Sequence, residues 1–492
     1  MTGRPFLWLV LLVFTACSTD PFGAVDRPPV PNLEPTVLDV EVESPAMQAR
    51  LDDPRPNIIF VMTDDQPYRT TDYMPTVRNV LMTEGVTFTN GFLTTPLCCP
   101  SRSSMLTGEY VHNHQVYTDR YPEGGARKFK DDSTFAVWLN EVGYRTAYYG
   151  KYLNDYESLT PAGYVPPGWD EWGVFMEKNL PHNEAAGSAQ YYLRFTLSEN
   201  GNIVEYRSKA NFSADVLTRK AVDFIAESRN QPFLLVVGYY NPHSPFMFAD
   251  RHIDAFRRLT DWTPWRPANL NEQDVRDKPA YLQSLLPFST SELDSTYTRI
   301  LRSLLSVDDG VASMLNALDK TGLRRKTMIV YLTDNGVTVG EHRFGFSKNC
   351  PYEECIRTPF VVYAPGLYPA HTDAHLVANI DLAPTFCELA GAVVPPGVDG
   401  TSLVPLLKDP GAPWRGALLV EHWPTEEGIG ALIPEFSAIR TDHWKFVQYS
   451  AGERELYNLR SDPYELRNLA GNLHYKELIS QLGARLKKMQ QE

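Results

Sequence analysis

Short apolar runs rich in β-branched and aromatic residues recur along the chain, at residues 57–63, 144–150, 232–240, 327–333 and 359–364. Their continuous apolar character predicts strands that are buried on both faces. Apolar residues at three- and four-residue steps between these runs predict amphipathic helices at 132–143, 211–228 and 297–319. Alternating strands and helices predict an α/β fold in which helices cover both faces of a large, mixed but mostly parallel sheet.

The pattern changes at about residue 403. Shorter apolar segments follow at 417–423, 436–450 and 455–459, and a charged amphipathic stretch runs from His474 to the end. This pattern predicts a smaller α+β subdomain with an antiparallel sheet, closed by a terminal helix. A chain of 492 residues that is 43% hydrophobic can bury a large core. We therefore expect a catalytic-sized domain at 56–402 and the subdomain at 403–492.

The first residues have the layout of a secretory signal. One arginine precedes an apolar run at 6–14, and small residues then lead to Cys17. The run is too short for a permanent membrane span, so we expect a signal peptide at 1–16 and export from the cell. The residues before Cys17 resemble the lipobox of bacterial lipoproteins, which implies a lipid on Cys17 and a membrane tether. The alternative is ordinary cleavage nearby and release. Residues 17–55, rich in Pro, Asp, Glu and Val, predict a flexible tether.

The charge of the chain excludes some partners. The formal net charge is −14, and no basic run of the kind that neutralises a phosphate backbone is present in the sequence. A nucleic-acid partner is therefore not expected. Because an acidic surface repels anions, an anionic substrate would have to be held by a few local Arg, Lys or metal charges.

Two of the predicted strands end in nearly the same way. One is followed by Asp64 and Asp65, and another by Asp334 and Asn335. Ligands of open α/β sheets bind beyond the carboxyl ends of strands, and oxygen ligands from two strand ends suit a hard cation such as calcium or magnesium. Acidic residues also cap helices and begin turns, which is the better interpretation of either pair alone. The two pairs together favour a metal site.

A third element is the segment TTPLCCPSRSSMLTGEYVHNH. Cys98 is followed by Pro, Ser and Arg102 and by a helix-compatible stretch, which places Cys98 at a predicted helix N-terminus. The free N–H groups and dipole of that terminus favour negative charge, and Arg102 adds a fixed cation. These residues predict an anion-binding nucleophile site. Two packed thiols in a loop would account for Cys99 but not for Arg102.

Six cysteines are too few for a disulfide scaffold in a chain of this length. Cys350 and Cys355 flank a four-residue segment and are the best candidates for a disulfide, since export permits one. Cys387 lies among apolar residues and is predicted to be a buried thiol.

The sequence CCPSR at 98–102, continued by LTG at 106–108, resembles the C-x-P-S-R signature of type I sulfatases, in which a maturation enzyme oxidises the first cysteine to formylglycine. The resemblance runs from about residue 57 to 469 and implies an alkaline-phosphatase-like α/β fold. It also implies a set of site residues: Cys98, Asp64, Asp65, Asp334 and Asn335 around one divalent metal, with calcium expected from the family, and Arg102, Lys151, Lys348 and His243 as further catalytic residues.

Within this family, CCPSR, TGEYVHNHQVYTD and GKYLNDY look most like the glucosamine-6-sulfatase branch, which includes the extracellular heparan endosulfatases. The resemblance implies a sulfated sugar substrate such as 6-O-sulfated N-acetylglucosamine, a glycosaminoglycan unit. One departure matters: many sulfatases have histidine two residues after the lysine of the GKxH segment, where this chain has Leu153. His112 or His114 could take the role of that histidine, and we take His114 as the candidate.

The resemblance implies a mechanism. Hydrated formylglycine at Cys98 offers two hydroxyls on one carbon, and a metal lowers the pKa of the one that attacks sulfur. Arg102, Lys151 and Lys348 neutralise the sulfuryl oxygens, and His243 protonates the leaving alcohol. The second hydroxyl then expels sulfate and restores the aldehyde, which an unmodified thiol could not do.

Two other functions compete with this interpretation. One is a phosphomonoester or phosphonate monoester hydrolase on the same scaffold, because phosphate and sulfate esters share tetrahedral geometry. The other is a non-catalytic surface protein that binds sulfated glycans, which predicts an unmodified Cys98. The state of Cys98 and the preferred ester separate these interpretations.

Overall fold

The computed structural model of the chain describes residues 33–38, 53–159, 163–176, 191–208, 210–257, 264–425 and 431–492. The predicted signal peptide, Cys17 and most of the predicted tether lie outside the described residues. Residues 33–38 of the tether are described, and they lie against a long helix. There the backbone N–H groups of Thr36 and Leu38 donate to Asp309 Oδ1 at 2.7 Å and to Ser313 Oγ at 2.9 Å. This part of the predicted flexible tether is attached to the folded domain.

Ten strands form the large sheet. In chain order they are β1 (Asn57–Asp64), β2 (Val86–Phe88), β3 (Arg145–Gly150), β4 (Glu171–Phe175), β5 (Phe195–Glu199), β6 (Asn202–Tyr206), β7 (Phe233–Pro242), β8 (Thr327–Thr333), β9 (Phe360–Tyr363) and β10 (His371–Asp373). Their order across the sheet is β10-β2-β9-β8-β1-β7-β3-β4-β5-β6.

The centre of this sheet is parallel and its edges are mixed. Strands β8, β1, β7, β3 and β4 all run in one direction. Strand β9 is antiparallel to both of its neighbours, and β4, β5 and β6 continue as an antiparallel meander at the other edge. The predicted α/β fold with a large, mixed, mostly parallel sheet is therefore confirmed. The five predicted strands are five consecutive ones, β9-β8-β1-β7-β3.

The central strands have continuous apolar sequences because both faces of the sheet are covered. In β1, Ile59 and Val61 pack into one hydrophobic cluster, and Ile58 and Phe60 pack into a second cluster on the opposite face. Burying each of these side chains contributes roughly 1.5–3 kcal/mol relative to an exposed position. The core is therefore two apolar layers, one on each side of the sheet.

The helices that cover the sheet include those predicted. They are α1 (Cys98–Thr107), α2 (Phe135–Glu141), α3 (Ser213–Glu227), α4 (Thr290–Lys320) and α5 (Leu382–Ala390), with shorter helical segments at Met82–Glu84, Val111–His114, Ala280–Gln283, Glu353–Ile356 and Val404–Lys408. Helix α4 begins at Thr290, before the predicted start at residue 297, because its first turns are mostly polar and exposed and lack an apolar periodicity.

The C-terminal part forms the predicted antiparallel sheet. Its strands are β11 (Leu418–His422), β12 (Phe436–Arg440), β13 (Trp444–Tyr449) and β14 (Arg454–Asn458), paired in chain order. A terminal helix, α6 (Lys476–Met489), packs Leu482 and Leu486 against Ile439 and Phe446 of this sheet. Two small two-stranded sheets join Gly91–Phe92 with Val377–Ala378 and Thr338–Val339 with Phe346–Ser347.

A buried charged network joins the C-terminal sheet to the main domain. We call Glu353, Arg440, Lys445 and Glu465 the interface cluster. Arg440 Nε donates to Glu353 Oε1 at 3.0 Å, and Lys445 forms ion pairs with both glutamates. The backbone N–H of Glu353 donates to Glu465 Oε2 at 2.8 Å. All four side chains are at most 4% exposed, so the ion pairs are shielded from solvent.

Candidate active site

The carboxyl ends of β1 and β8 bring four polar side chains together. The two strands are parallel neighbours in register, so Asp64 and Asp334 leave the sheet side by side. Asn335 Nδ2 donates a hydrogen bond of 2.6 Å to Asp65 Oδ1, and the backbone N–H of Asp65 donates to Asp334 Oδ1 at 3.2 Å. All four residues are buried. The sheet therefore holds the predicted oxygen ligands in one compact group.

Helix α1 begins at Cys98, so this thiol lies at the helix N-terminus. Its Sγ lies 3.7 Å from Asp64 Oδ1, and Lys348 Nζ donates to it at 2.7 Å. Arg102, four residues later on the same helix face, donates from Nε to Asp334 Oδ2 at 2.8 Å. The signature helix thus places the reacting position and a fixed cation beside the strand-end carboxylates.

Three cations match the three buried carboxylates. Besides Arg102, Lys151 Nζ lies 2.5 Å from Asp64 Oδ2, and Lys348 Nζ lies 2.8 Å from Asp65 Oδ1. The Lys348 side chain keeps 20% exposure, so it faces both the carboxylates and the solvent. We call these six residues, Asp64, Asp65, Asp334, Arg102, Lys151 and Lys348, the site cluster.

The pKa values in the site cluster follow from burial and pairing. Burial alone would raise the pKa of Asp64, but Lys151 and the other nearby cations bring it below its ordinary value. Burial would likewise lower the pKa of Lys151, but Asp64 raises it above its ordinary value. Burial raises the pKa of the Cys98 thiol well above its ordinary value. A cysteine in this position is therefore protonated at neutral pH and is a weak nucleophile.

His243 follows directly after β7 and faces the same carboxylates. Its Nε2 lies 3.5 Å from Asp65 Oδ2, and its Nδ1 lies 2.8 Å from the backbone carbonyl of Ser244. Because a carbonyl only accepts, Nδ1 carries a hydrogen and donates it. The ring also packs against Tyr240, with ring centroids 4.6 Å apart. These contacts fix the ring so that Nε2 points toward the site cluster.

His114 does not join this group. Its Nε2 lies 2.9 Å from Ser104 Oγ, and its Nδ1 accepts from the backbone N–H of Val116 at 3.1 Å. Burial lowers the pKa of His114 to about 3, so the ring is neutral at physiological pH. Both ring nitrogens are thus engaged in structural hydrogen bonds, and we do not retain a catalytic role for His114. His112 pairs with Glu421 of β11, with Nδ1 2.7 Å from Oε2.

Asp119 was missed in the sequence because no motif marks it. Its Oδ1 accepts a hydrogen bond of 2.9 Å from the backbone N–H of Cys99, in the first turn of α1. The residue before the helix, Leu97, offers no side-chain cap. Asp119 supplies this missing cap from a separate loop, which stabilises a helix start by about 1 kcal/mol.

The residues present fit a bound divalent cation. Among the described residues, Oδ2 of Asp64 is buried and held by the ion pair with Lys151, and Oδ1 of Asn335 is buried with no hydrogen-bond partner. Buried acceptors of this kind are costly unless something pairs with them, and hard cations bind such oxygens. Ligand atoms of Asp64, Asp65 and His243 lie within 4.8 Å of one another, as do those of Asp64, Cys98 and Asp334. The two groups share Asp64, so they are adjacent.

The other cysteines among the described residues are buried. Cys350 and Cys355 form a disulfide, with Cα atoms 5.6 Å apart. Cys99 and Cys387 are buried free thiols. Burial raises the pKa of Cys387 to about 12, so it is protonated and unreactive at neutral pH.

The fold is a mostly parallel sheet, and carboxylates, cations and a helix-terminal cysteine meet at its strand ends. This combination defines the class of alkaline-phosphatase-like hydrolases. The Sulfatase family model matches residues 56–392, and the model of the N-sulphoglucosamine sulphohydrolase C-terminal region matches residues 340–492. The chain belongs to the sulfatase family, a family of sulfuric ester hydrolases.

Two curated relatives show the range of similar chains. The human N-acetylglucosamine-6-sulfatase is 32% identical, with 89% of this chain and 84% of that protein covered. A Caenorhabditis elegans protein named as an extracellular sulfatase homologue is 34% identical, and the match covers 75% of this chain but only 53% of that protein. The chain thus spans about half the length of one relative and most of the other.

Solved structures agree on the fold. A protein in complex with its substrate D-glucosamine-2-N,6-O-disulfate superposes with a TM-score of 0.76 at 25% identity, covering 89% of this chain and 98% of that one. A phosphonate monoester hydrolase from Silicibacter pomeroyi superposes with a TM-score of 0.72 at 21% identity, covering 89% and 95%. These solved structures therefore show the fold of the chain. Within the described residues, no helix is long and apolar enough to cross a membrane.

Proposed function

We propose that this protein hydrolyses sulfate esters of sugars, with formylglycine formed from Cys98 and one divalent cation, calcium, held by Asp64, Asp65, Asp334 and Asn335. The observation that carries the proposal is the position of Cys98. Its side chain lies at a helix N-terminus, 3.7 Å from one carboxylate and 2.7 Å from Lys348 Nζ. A protonated, buried thiol is a weak nucleophile there, whereas an aldehyde hydrate offers a hydroxyl.

Each of the proposed catalytic side chains has a defined role in this proposal. Arg102, Lys151 and Lys348 place three positive charges around Cys98, where they bind the sulfuryl oxygens and stabilise the charge that develops on them. His243 Nε2 is held toward the site and gives a proton to the leaving alcohol oxygen, a contribution of roughly 10²–10⁴-fold. The bound cation supplies Lewis acidity, which lowers the pKa of a neighbouring hydroxyl and neutralises ester oxygens.

The proposed substrate is a 6-O-sulfated glucosamine unit of a glycosaminoglycan. Two findings support it: the relatives named as N-acetylglucosamine-6-sulfatases and the structural neighbour whose substrate is a 6-O-sulfated glucosamine. A formylglycine-generating enzyme is the proposed maturation partner. We further propose export, with either a lipid on Cys17 or release after cleavage, in line with the relative named as extracellular.

The test combines mass spectrometry with an ester panel. Active protein purified after co-expression with a maturation enzyme is digested, and the peptide containing Cys98 is examined for the mass loss from thiol to aldehyde. The same sample is assayed on glucosamine 6-sulfate, an aryl sulfate, a phosphate monoester and a phosphonate monoester. The expected result is aldehyde at Cys98 and the highest kcat/KM on sulfate esters. Active protein with an ordinary cysteine, or faster turnover of the phosphorus esters, would contradict the proposal.

Chelation tests the contribution of the metal to activity separately from that of the charged side chains. Removal of the cation is expected to abolish turnover, and calcium, added back, to restore it. If chelated protein, shown to be metal-free by elemental analysis, keeps its sulfate-ester activity, the metal part of the proposal fails. Binding of sulfated glycan without any turnover in formylglycine-containing protein would instead favour a non-catalytic binding protein.

A further inference from the structure

A cavity of about 300 Å³ opens directly beside the site cluster. Lys348 forms part of its wall, so the cavity adjoins the position where the ester is cleaved. Leu97 and Asn349 also line the cavity. The other walls come from two loops, one after the helical segment Val111–His114 and one after β11, through the residues Thr118, Asp119, Arg120, Pro122, Glu123, Pro424 and Thr425. The part of a substrate that carries the sulfate has to lie near this space.

The wall of this cavity is mixed, because Leu97, Pro122 and Pro424 are apolar and the remaining residues are polar or charged. It carries the carboxylates of Asp119 and Glu123, the guanidinium of Arg120 and the hydroxyls of two threonines. Among the described residues, Arg120 forms no ion pair. Opposite charges that are not paired with each other suit a neutral ligand with many hydroxyls, because a hydroxyl both donates and accepts.

Asp119 connects this wall to the reacting residue. One of its oxygens, Oδ1, accepts from the backbone N–H of Cys99, the residue after Cys98. The described residues form no other hydrogen bond to this carboxylate, and the side chain is half-buried in the cavity wall. Its second oxygen is therefore available as an acceptor close to the position of cleavage.

We propose that Asp119 is a specificity-determining residue whose Oδ2 accepts a hydrogen bond from a ring hydroxyl of the sugar that carries the scissile sulfate. The inference deepens the proposed function and rests on it. An ionised carboxylate only accepts, and sugar hydroxyls are donors. A hydrogen bond to a charged group is stronger than one between neutral groups. The cavity would then favour sugar sulfates over aryl sulfates, whose leaving group has no hydroxyl at that position.

The variant Asp119→Asn isolates this contact. Its side-chain oxygen can still accept from the Cys99 N–H, so the cap of α1 is kept, whereas the amide nitrogen at the other position cannot accept from a hydroxyl. The expected result is a fall of at least about tenfold in the ratio of kcat/KM for glucosamine 6-sulfate to kcat/KM for an aryl sulfate. Asp132→Asn changes an exposed aspartate outside the cavity and is the matched control, with no change expected in this ratio.

The outcomes distinguish specificity from structure. An unchanged ratio in Asp119→Asn, whether both activities fall together or neither falls, overturns the inference. Asp119→Ala removes the cap as well and is expected to lower both activities and the melting temperature. A wild-type protein that hydrolyses aryl sulfates but no sugar sulfate overturns the inference and leaves the sulfatase proposal standing. A formylglycine-containing protein without any sulfate-ester turnover overturns both.

Discussion

Two clusters of buried charge in this molecule are built from the same residue types but differ in what they leave unpaired. The interface cluster joins Glu353 and Glu465 to Arg440 and Lys445 with direct ion pairs. The site cluster also balances carboxylates with cations, yet Oδ1 of the adjacent Asn335 is buried without a hydrogen-bond partner among the described residues. Each cluster adjoins a cavity, the interface cluster one of about 50 Å³ through Glu353 and the site cluster one of about 300 Å³ through Lys348.

The difference separates a structural network from a functional one. A buried ion pair contributes little net stability, but breaking it by removing one partner is strongly destabilising. A cluster that keeps buried acceptors unsatisfied has a cost that folding alone does not offset, so it indicates a ligand. Burial and charge by themselves do not distinguish the two clusters, whereas the unpaired Asn335 oxygen and the larger adjoining cavity do.

The largest expected effect is at Cys98. Cys98→Ala removes the residue that becomes formylglycine, so kcat should fall on the order of 10⁵-fold or more, measured with glucosamine 6-sulfate. Cys387→Ala removes another buried thiol and should leave kcat within about a factor of two, because Cys387 has no role in the proposed reaction and the change at most lowers stability. Comparable kcat in the two variants would show that Cys98 is not the reacting residue.

A second, smaller effect is expected at His243. His243→Asn should lower kcat for a sugar sulfate by roughly 10²–10⁴-fold, because the proton donor to the leaving oxygen is lost. With an aryl sulfate, whose leaving group needs less protonation, the loss should be smaller. An equal loss on both substrates would show that His243 acts through positioning or metal binding rather than by proton donation.

In the interface cluster the expected effect is on stability. Glu353→Gln leaves Arg440 and Lys445 without full charge compensation, so the free energy of unfolding should fall by about 3–5 kcal/mol, measured by denaturant titration. Glu141→Gln, an exposed glutamate on α2, is the matched control and should change it by less than about 0.5 kcal/mol. A small effect of Glu353→Gln would mean that the interface cluster does not stabilise the fold.

Per pH unit, the smallest expected effect is the pH dependence of stability from Glu465. Burial raises the pKa of Glu465 to about 8, with repulsion from Glu353 adding to the rise and Lys445 opposing it. The folded state therefore binds the proton more tightly than the unfolded state. The resulting stability is complete below the ordinary glutamate pKa and is lost as the pH rises through about 8, with a slope of at most about 1.4 kcal/mol per pH unit. Glu465→Gln should flatten this slope in unfolding titrations from pH 5 to 9.

The sequence predicts the central strands of the large sheet but not its edges. Strands β1, β7 and β8 are buried along their whole length and so have continuous apolar sequences. Strand β2 has only three residues, and β6 is largely exposed. Such strands lack the apolar run that marks a buried strand, because pairing with a neighbour, not burial, defines them.

The same limit applies to the charged clusters. Asp64 and Asp334 each follow a predicted strand, so their meeting at one edge of the sheet could be expected from the fold class alone. Asp119 reaches Cys99 from a loop without any motif. Glu353 and Glu465 are 112 residues apart in the chain. Contacts that depend on how loops and subdomains close cannot be derived from local patterns.

A short segment of the chain connects the interface cluster to the proposed reacting residue. Lys348, which contacts Cys98 Sγ, lies five positions before Glu353, and the disulfide of Cys350 and Cys355 braces the segment between them. Arg440, on β12 of the C-terminal sheet, donates a hydrogen bond to the Glu353 carboxylate. A truncated gene product that ends before Arg440 would therefore keep every signature residue. It would still lack the Arg440–Glu353 contact that helps to position Lys348. Motif content alone is an insufficient criterion for calling such shortened homologues active.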